Sequence, residues 1–256
     1  MNKKTSNLFE SGKISKEEWD TRIDLAACYR LMHHFGMDDL IYNHISARVP
    51  GPEEHFLLNP FGLLYEEITA SNLVKVDLDG NIISDTGDRI NPAGFVIHSC
   101  VHKERPDMLC VIHTHTTAGV GVSSQEEGLL PLSQTSLLYK NLIGYHEYEG
   151  LALNLEEQKR LLEDLGKDKQ LLILKNHGLL SCGKSIPEAF IMMYYLEQAC
   201  RIQIAAQAGG KITLPLPQVQ ELAHKQAMKG FGTALGVMEF TALKRRLDRL
   251  GSDYAN

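Results

Sequence analysis

The sequence predicts an α/β protein in which one mixed β-sheet lies between layers of helices. Short apolar strands and amphipathic helices interleave along the 256-residue chain, and this interleaving is typical of a three-layer α/β/α core. Hydrophobic residues make up 43% and charged residues 23% of the chain, as in ordinary globular proteins. A chain of this length is expected to bury a sizeable core in one large domain or two smaller ones.

The N-terminal third is predicted to start with a helix and to continue with short strands. Ser15 and Glu18 form a capping box that opens the helix, and Gly36 is placed to end it. Strands are expected over 45–49, 55–59, 73–78 and 81–84, the last two joined through the Asp79-Gly80 turn. Asn91 and Pro92 then supply the N-cap and first turn of a helix that runs to about residue 105.

The remainder of the chain continues the same alternation. Strands are expected over 109–113, 143–148 and 171–174, the last paired with 179–181 through a tight turn, and a segment of small residues covers 116–124. Helices are predicted from a capping box at Asn154 to Gly166, and from Ser185 to the glycines at 209–210. A helical tail rich in Lys and Arg, from about Val219, closes the chain.

Net charge and cysteine content indicate which partners and which cellular location to expect. A net charge of -6 argues against a nucleic-acid partner or an anionic membrane surface. No apolar stretch approaches the ~20 residues needed to cross a bilayer, and the polar segment 1–14 is expected to be loosely held and to carry no secretory signal. The five cysteines are scattered without a Cys-x-x-Cys pair, which favours reduced thiols and a cytoplasmic location.

The clearest candidate site is the His113-Thr114-His115 sequence, which directly follows the apolar run 109–112. Side chains two residues apart on a strand point to the same face, so both imidazoles can converge at the end of a buried strand. Neutral imidazole nitrogen binds a divalent ion such as zinc at roughly 2.0–2.1 Å. The spacing alone is equally compatible with two surface histidines at a strand end.

His177 adds a third candidate ligand, because it lies in a tight turn at the end of the apolar strand 171–174. Two such strands can present three imidazoles to one ion and leave an open position, as in catalytic zinc sites. Zn²⁺ is the expected ion, and the same donors also accept iron, manganese or cobalt. His98 and His102 also have a metal-compatible spacing on one helix face, but a packing role is favoured for His98.

At these residues the sequence resembles the class II aldolase/adducin family. The most specific stretches are 105–107 leading into 111–115, and 174–179, within a match from about Trp19 to Gly210. The resemblance is strongest to adducin head domains and their bacterial relatives, for example over 144–150. It implies a central, mainly antiparallel sheet between helical layers.

The resemblance and the pattern of predicted elements divide the chain into three parts. A loose N-terminal segment is expected over 1–14, the class II aldolase/adducin domain over 15–214, and a helical C-terminal tail over 215–256. Enzymes of this family are usually C4 tetramers with metal sites near subunit interfaces. The resemblance therefore implies a homotetramer that acts on a small-molecule substrate.

The resemblance also assigns roles to residues of the candidate site. His113, His115 and His177 match the three metal-binding histidines of the family's sugar-phosphate aldolases and epimerases. Tyr145 matches a tyrosine that reaches the site of a neighbouring subunit and serves as proton donor. Tyr254, in the tail, could cover a neighbour's site as tails do in some relatives, although a frayed terminus is favoured.

The substrate-binding positions match the family only in part. Asn43 and Ser46 retain the Asn and Ser of the family's Gly-Asn-x-Ser loop, and Gly62 retains the glycine of a second phosphate contact. The hydroxyl residue before that glycine is replaced by Phe61. Half of an anion site is thus made apolar, so a phosphorylated sugar is not the expected substrate.

A second departure affects the chemistry itself. The Ser-Ser-Glu run of the family's aldolases reads Pro92-Ala93-Gly94 in this chain. Because a glycine has no proton to exchange, aldol cleavage through that glutamate is unavailable. The sequence does not indicate which residue takes the place of the glutamate.

Two functional hypotheses are compatible with this sequence. The first is a metal-dependent lyase, of the aldol-cleavage or decarboxylation type, in which the ion polarises an oxygen of a small unphosphorylated hydroxy- or keto-carbonyl compound. Iron- and oxygen-dependent decarboxylation, which occurs in some three-histidine relatives, is a variant of it. The second is a non-catalytic adducin-like scaffold. The missing glutamate favours the scaffold, whereas the complete histidine set favours the enzyme.

Overall fold

A computed structural model describes residues 12–84, 89–150, 156–231 and 234–256 of the chain. Its centre is a seven-stranded sheet. The strands are β1 (His44–Arg48), β2 (Phe56–Leu58), β3 (Val74–Val76), β4 (Cys110–Thr114), β5 (Ile143–His146), β6 (Leu171–Leu174) and β7 (Gly178–Gly183). They lie in the order β3-β2-β1-β4-β7-β6-β5. Every neighbouring pair is antiparallel except β5 and β6, which are parallel, so the predicted mainly antiparallel sheet is confirmed.

Helices cover both faces of the sheet. They are α1 (Lys16–His34), α2 (Pro92–Glu104), α3 (Thr117–Ser123), α4 (Gln134–Leu137), α5 (Glu157–Leu165), α6 (Ile186–Ala208), α7 (Pro217–Phe231) and α8 (Val237–Arg249). One apolar core unites α1, α6 and α8 with one face of the sheet. A second core lies between the opposite face and helices α2 and α5. Among the described helices, none combines the length and apolar character that a membrane crossing requires.

Helix ends follow the capping chemistry that the sequence predicts. The Ser15 side chain accepts a hydrogen bond from the Glu18 backbone N–H, and Ser185 does the same for Glu188. Helix α2 begins at Pro92, as predicted. The predicted capping box at Asn154 lies outside the described residues.

Three regions differ from the sequence-based expectation. The predicted strand 81–84 contributes a single bridge, between Val76 and Ile82. The small-residue segment after β4 contains helix α3, capped by the Thr116 side chain. The tail contains two helices, α7 and α8, and its end is not frayed. Tyr254 is buried and donates a hydrogen bond to Asp248 within the same chain, so this tail packs on its own domain.

The sheet topology gathers several chain segments at one edge. The start of β1 pairs with the end of β4, since His44 lies opposite His113. The turn between β6 and β7 reaches the same edge, where Leu179 pairs with Thr114. Because β5 runs parallel to β6, its last residue also ends there. Residues that are distant in sequence are therefore brought together at this edge.

Candidate metal centre

Three imidazoles converge at the shared sheet edge, from the end of β4 and from the β6–β7 turn. The Nε2 atom of His115 lies 2.8 Å from Nε2 of His113 and 3.1 Å from Nε2 of His177. Two tetrahedral ligands of one zinc ion stand roughly 3.3 Å apart, given zinc–nitrogen bonds of about 2.05 Å. We call His113, His115 and His177 the three-histidine cluster.

Hydrogen bonds to the outer nitrogens orient two members of the cluster. The Leu179 carbonyl lies 2.9 Å from Nδ1 of His113, and the Asp39 carboxylate lies 3.0 Å from Nδ1 of His115. Both partners are acceptors, so both Nδ1 atoms carry hydrogen and donate. In neutral rings, the Nε2 lone pairs of His113 and His115 would then face each other at 2.8 Å. Their contact requires a positive charge between them, either a proton on one ring or a metal ion.

Electrostatics favour the metal ion over protons. Burial, followed by the like charges of neighbouring histidines, lowers the pKa of His113 well below its ordinary value. The same two causes lower the pKa of His177 to about 4. Both rings are therefore neutral at pH 7, the state in which imidazole binds a metal ion. The residues present fit a divalent cation with three nitrogen ligands.

The turn that carries His177 has specific backbone requirements. Asn176 has a φ of +56°, in the left-handed region that asparagine tolerates better than most residues. A Cβ on Gly178 would lie 2.2 Å from the Thr114 carbonyl oxygen, so a larger residue at 178 would displace β7 from β4. The Asn-His-Gly sequence thus places the imidazole beside the end of β4.

Asp39 is a residue of the candidate site that the sequence analysis did not identify. It lies in the loop before β1, 76 positions from His115, and its carboxylate binds the outer nitrogen of that ring. Carboxylates in this position orient metal-binding histidines and increase their basicity. The neighbouring Leu40 has a φ of +48°, which is uncommon for a residue other than glycine. No spacing pattern connects Asp39 to the cluster, because the loop conformation alone places it there.

The predicted proton donor, Tyr145, does not contact the cluster of its own chain. It lies on β5, and its hydroxyl accepts a hydrogen bond from the Leu129 backbone N–H. Burial raises the pKa of this phenol. The tyrosine beside the cluster is Tyr148, which is half-exposed and whose ring centre lies 6.3 Å from that of His177. A role for Tyr145 at a neighbouring subunit's site stays a prediction.

The predicted substrate-binding residues occupy three different environments. The Asn43 side chain is fully buried, and both of its amide atoms lack a hydrogen-bond partner among the described residues. Ser46 is also fully buried, and its hydroxyl lies 2.7 Å from a nitrogen of His98 and from one of His102. Gly62 is exposed, with a φ of +107°. Direct substrate contact by each of them stays a prediction.

The space beside Gly94 is filled by His44. A Cβ on Gly94 would lie 2.7 Å from the Cγ and Cδ2 atoms of the His44 ring, a distance shorter than any carbon–carbon contact in a packed core. His44 is buried, and its ring centre lies 5.1 Å from that of His113. The glycine in the first turn of α2 therefore makes room for a fourth imidazole next to the cluster.

Comparisons with known proteins agree with this architecture. Residues 23–204 match the family described as the class II aldolase and adducin N-terminal domain. A crystal structure of an aldolase II superfamily protein from Pseudomonas syringae is 50% identical, with a TM-score of 0.90, and the match covers 96% of this chain and 99% of that chain.

Two further relatives represent the two branches that the family name joins. Alpha-adducin of Mus musculus is 45% identical over 256 residues, covering 94% of this chain and 35% of alpha-adducin. L-fuculose 1-phosphate aldolase from Glaciozyma antarctica is 28% identical, with a TM-score of 0.81, and the match covers 93% of this chain and 92% of that chain. This protein belongs to the class II aldolase/adducin family.

Proposed function

We propose that this protein is a metal-dependent lyase that acts on a small, unphosphorylated hydroxy- or keto-carbonyl compound. The observation that carries the proposal is the convergence of three Nε2 atoms at 2.8 and 3.1 Å. With the Nδ1 atoms of His113 and His115 committed to acceptors, the arrangement needs a cation. A scaffold without a ligand has no use for such a cluster, since unpaired lone pairs in a partly buried site are unfavourable.

His113, His115 and His177 would hold the ion, for which Zn²⁺ is the first candidate and iron, manganese and cobalt are alternatives. When bound, the ion would supply Lewis acidity toward a carbonyl or hydroxyl oxygen of the substrate. The Asp39 carboxylate would fix the orientation of His115 through its Nδ1. The partly exposed side of the cluster, at His115 and His177, is the face open to substrate.

The surroundings of the cluster favour a substrate without phosphate. Gly94 offers no side chain, and the half-exposed Phe61 ring stands next to Gly62. Asn43 provides a buried amide whose donor and acceptor atoms are both available, which suits a single hydroxyl or carboxyl group. Phosphate is recognised by several N–H or cationic groups, and the side chains at positions 61 and 94 supply none.

The remaining roles depend on assembly. We propose a homotetramer in which the metal sites lie near subunit interfaces and Tyr145 of one subunit donates a proton at the site of its neighbour. Tyr145 is 38% exposed within one chain, which leaves it accessible to a partner. A cytoplasmic location fits five cysteines that are all free and buried.

A turnover screen tests this function. Purified protein is first loaded with Zn²⁺, Mn²⁺, Fe²⁺ or Co²⁺ and then incubated with unphosphorylated hydroxy- and keto-acids, with product detection by mass spectrometry. We expect turnover with at least one compound that disappears on chelation and in His113→Ala. Turnover that persists in the metal-free protein would contradict the proposal.

A second candidate is a non-catalytic adducin-like scaffold, which the 45% identity to alpha-adducin favours. This scaffold would share the fold and bind a partner protein without chemistry. Metal content discriminates between the two, because the enzyme hypothesis requires a bound ion for activity and the scaffold hypothesis does not.

A further inference from the structure

A group of buried polar residues from β1 and α2 lies next to the three-histidine cluster. His44 and Ser46 are on β1, and His98 and His102 are on α2. All four are buried to 2% exposure or less. We call these residues the His44 network.

Hydrogen bonds connect the network in a single line. Nε2 of His102 lies 2.7 Å from the Ser46 hydroxyl, which lies 2.7 Å from Nδ1 of His98. Nε2 of His98 in turn lies 2.9 Å from Nδ1 of His44. Each ring has one donor and one acceptor nitrogen when neutral, so fixing one end of the line fixes the tautomer of every member.

A neutral line of this kind can run in either of two directions. Nδ1 of His102, at its far end, is buried and has no hydrogen-bond partner among the described residues. In one direction Nε2 of His44 is an acceptor, and in the other it is a donor. A hydroxyl group both donates and accepts, so it can pair with Nε2 of His44 in either case.

At the near end, the hydrogen bond to His98 uses Nδ1 of His44 and leaves its Nε2 for other partners. Because the two ring nitrogens point in widely different directions, Nε2 is directed away from His98. His44 lies opposite His113 in the sheet, on the face that the two residues share.

We propose that His44 is the ligand-contacting residue of this centre and that its Nε2 forms a hydrogen bond with a hydroxyl of a compound bound to the metal. Ser46, His98 and His102 are positioning residues that fix its orientation. The inference rests on the proposed metal function and deepens it. With this contact, the site would bind α-hydroxy carbonyl compounds more tightly than carbonyl compounds that lack the hydroxyl.

Gly94 is the feature that permits this arrangement. A side chain at position 94 would meet the His44 ring at 2.7 Å, and the ring would have to move. The position of the His44 imidazole therefore depends on a glycine at position 94. Any residue larger than glycine is expected to turn Nε2 away from the bound compound.

The test uses the Co²⁺-loaded protein and two hydroxamates that differ by one hydroxyl, glycolohydroxamate and acetohydroxamate. Both chelate through the hydroxamate group, so the extra hydroxyl reports a contact with the protein. Binding is followed through the visible absorption of Co²⁺. Wild-type protein is expected to bind glycolohydroxamate roughly 3- to 10-fold more tightly, the range that one hydrogen bond gives.

Two substitutions of His44 are matched to the two ring nitrogens. His44→Asn keeps a polar atom near the position of Nδ1 and removes Nε2, so the preference should fall to about 1-fold while Co²⁺ still binds. His44→Gln places a polar atom near Nε2 and should retain part of the preference. A preference in His44→Asn equal to that of wild type would overturn the inference, as would a wild-type preference of 1-fold or less.

Gly94→Ala is an independent test, because it removes none of the ring nitrogens of the His44 network. It should reduce the preference for the hydroxyl, whereas Gly230→Ala, at a helical glycine with open space around it, should not. If His44→Asn does not fold, Gly94→Ala decides, and an unchanged preference in that variant overturns the inference. Absence of Co²⁺ binding to wild-type protein would instead contradict the proposed function, and this inference with it.

Discussion

The three-histidine cluster and the His44 network are adjacent sets of imidazoles with opposite environments. The cluster is partly exposed, and its Nε2 atoms converge without acceptors of their own. The network is buried throughout, and its inner nitrogens are paired in a hydrogen-bonded line. Convergent lone pairs suit a cation, whereas an unbroken line of neutral donors and acceptors suits rigid positioning. Imidazoles therefore have the geometry for binding an ion in one region and for holding a neighbouring side chain in place in the other.

Removal of a cluster ligand should have the largest effect on metal binding. His113→Ala leaves two of the three nitrogens, and the dissociation constant for Zn²⁺ is expected to rise about 100-fold or more, since even outer partners of metal ligands contribute 10- to 100-fold. Competition with a chromophoric chelator measures this. His55→Ala, at a histidine outside the cluster, is the control, and equal affinities in the two variants would refute the assignment.

Loss of the carboxylate behind His115 should have the next largest effect. Asp39→Asn keeps the shape of the side chain but removes its charge, and metal affinity is expected to fall roughly 10- to 100-fold. The neighbouring Asp38 binds His33 at 2.8 Å, so Asp38→Asn is a matched control with unchanged affinity. If the two variants bind Zn²⁺ equally well, Asp39 has no part in the centre.

Acid should destabilise the protein through the buried network. Burial, followed by the Arg48 charge, lowers the pKa of His102 to about 3 in the folded state, against about 6.5 in the unfolded chain. The unfolded chain binds more protons between these values, so stability falls as pH decreases from 6.5 toward 3. Each pH unit below 6.5 should lower the free energy of unfolding by about 1.36 kcal/mol through this residue. At pH 5 the loss should therefore be about 2 kcal/mol.

Urea unfolding at pH 7 and pH 5 measures this cost. The non-titrating variant His102→Asn should lose about 2 kcal/mol less than wild type on acidification, whatever its stability at pH 7. Identical pH dependence in the two proteins would show that His102 is not held neutral by the fold.

The smallest expected effect concerns Tyr145. Tyr145→Phe removes the hydroxyl that accepts from the Leu129 N–H, and the free energy of unfolding should fall by about 1 kcal/mol. Tyr148→Phe, at an exposed ring, should change stability by less than about 0.5 kcal/mol. A larger loss in the Tyr148 variant would reverse the roles that the structure gives these residues.

Sequence periodicity was sufficient to predict the parts of this molecule that depend on local order. The alternation of side chains on β4 places His113 and His115 on one face, and the apolar strand β6 leads directly to His177. Most of the strands and the capped helices α1, α2 and α6 were predictable for the same reason, since their signals lie within a few residues of each other. The mainly antiparallel order of the sheet was implied by the family resemblance.

The remaining features depend on contacts between distant segments. Asp39 reaches His115 through the conformation of a loop, and His44 meets His98 across 54 positions. In the sequence, Gly94 indicates only that a catalytic glutamate is missing. In the structure, the absence of a side chain at this position leaves the space that the His44 ring occupies. Helix α3 was missed because small residues give no periodic apolar pattern.

Metal content tests the central claim most directly. Freshly purified protein, analysed by inductively coupled plasma mass spectrometry against an accurate protein concentration, should contain about one divalent ion per chain, and His113→Ala should contain none. A metal-free wild-type protein that also fails to bind Zn²⁺, Mn²⁺, Fe²⁺ and Co²⁺ in calorimetric titrations would contradict the proposed metal centre.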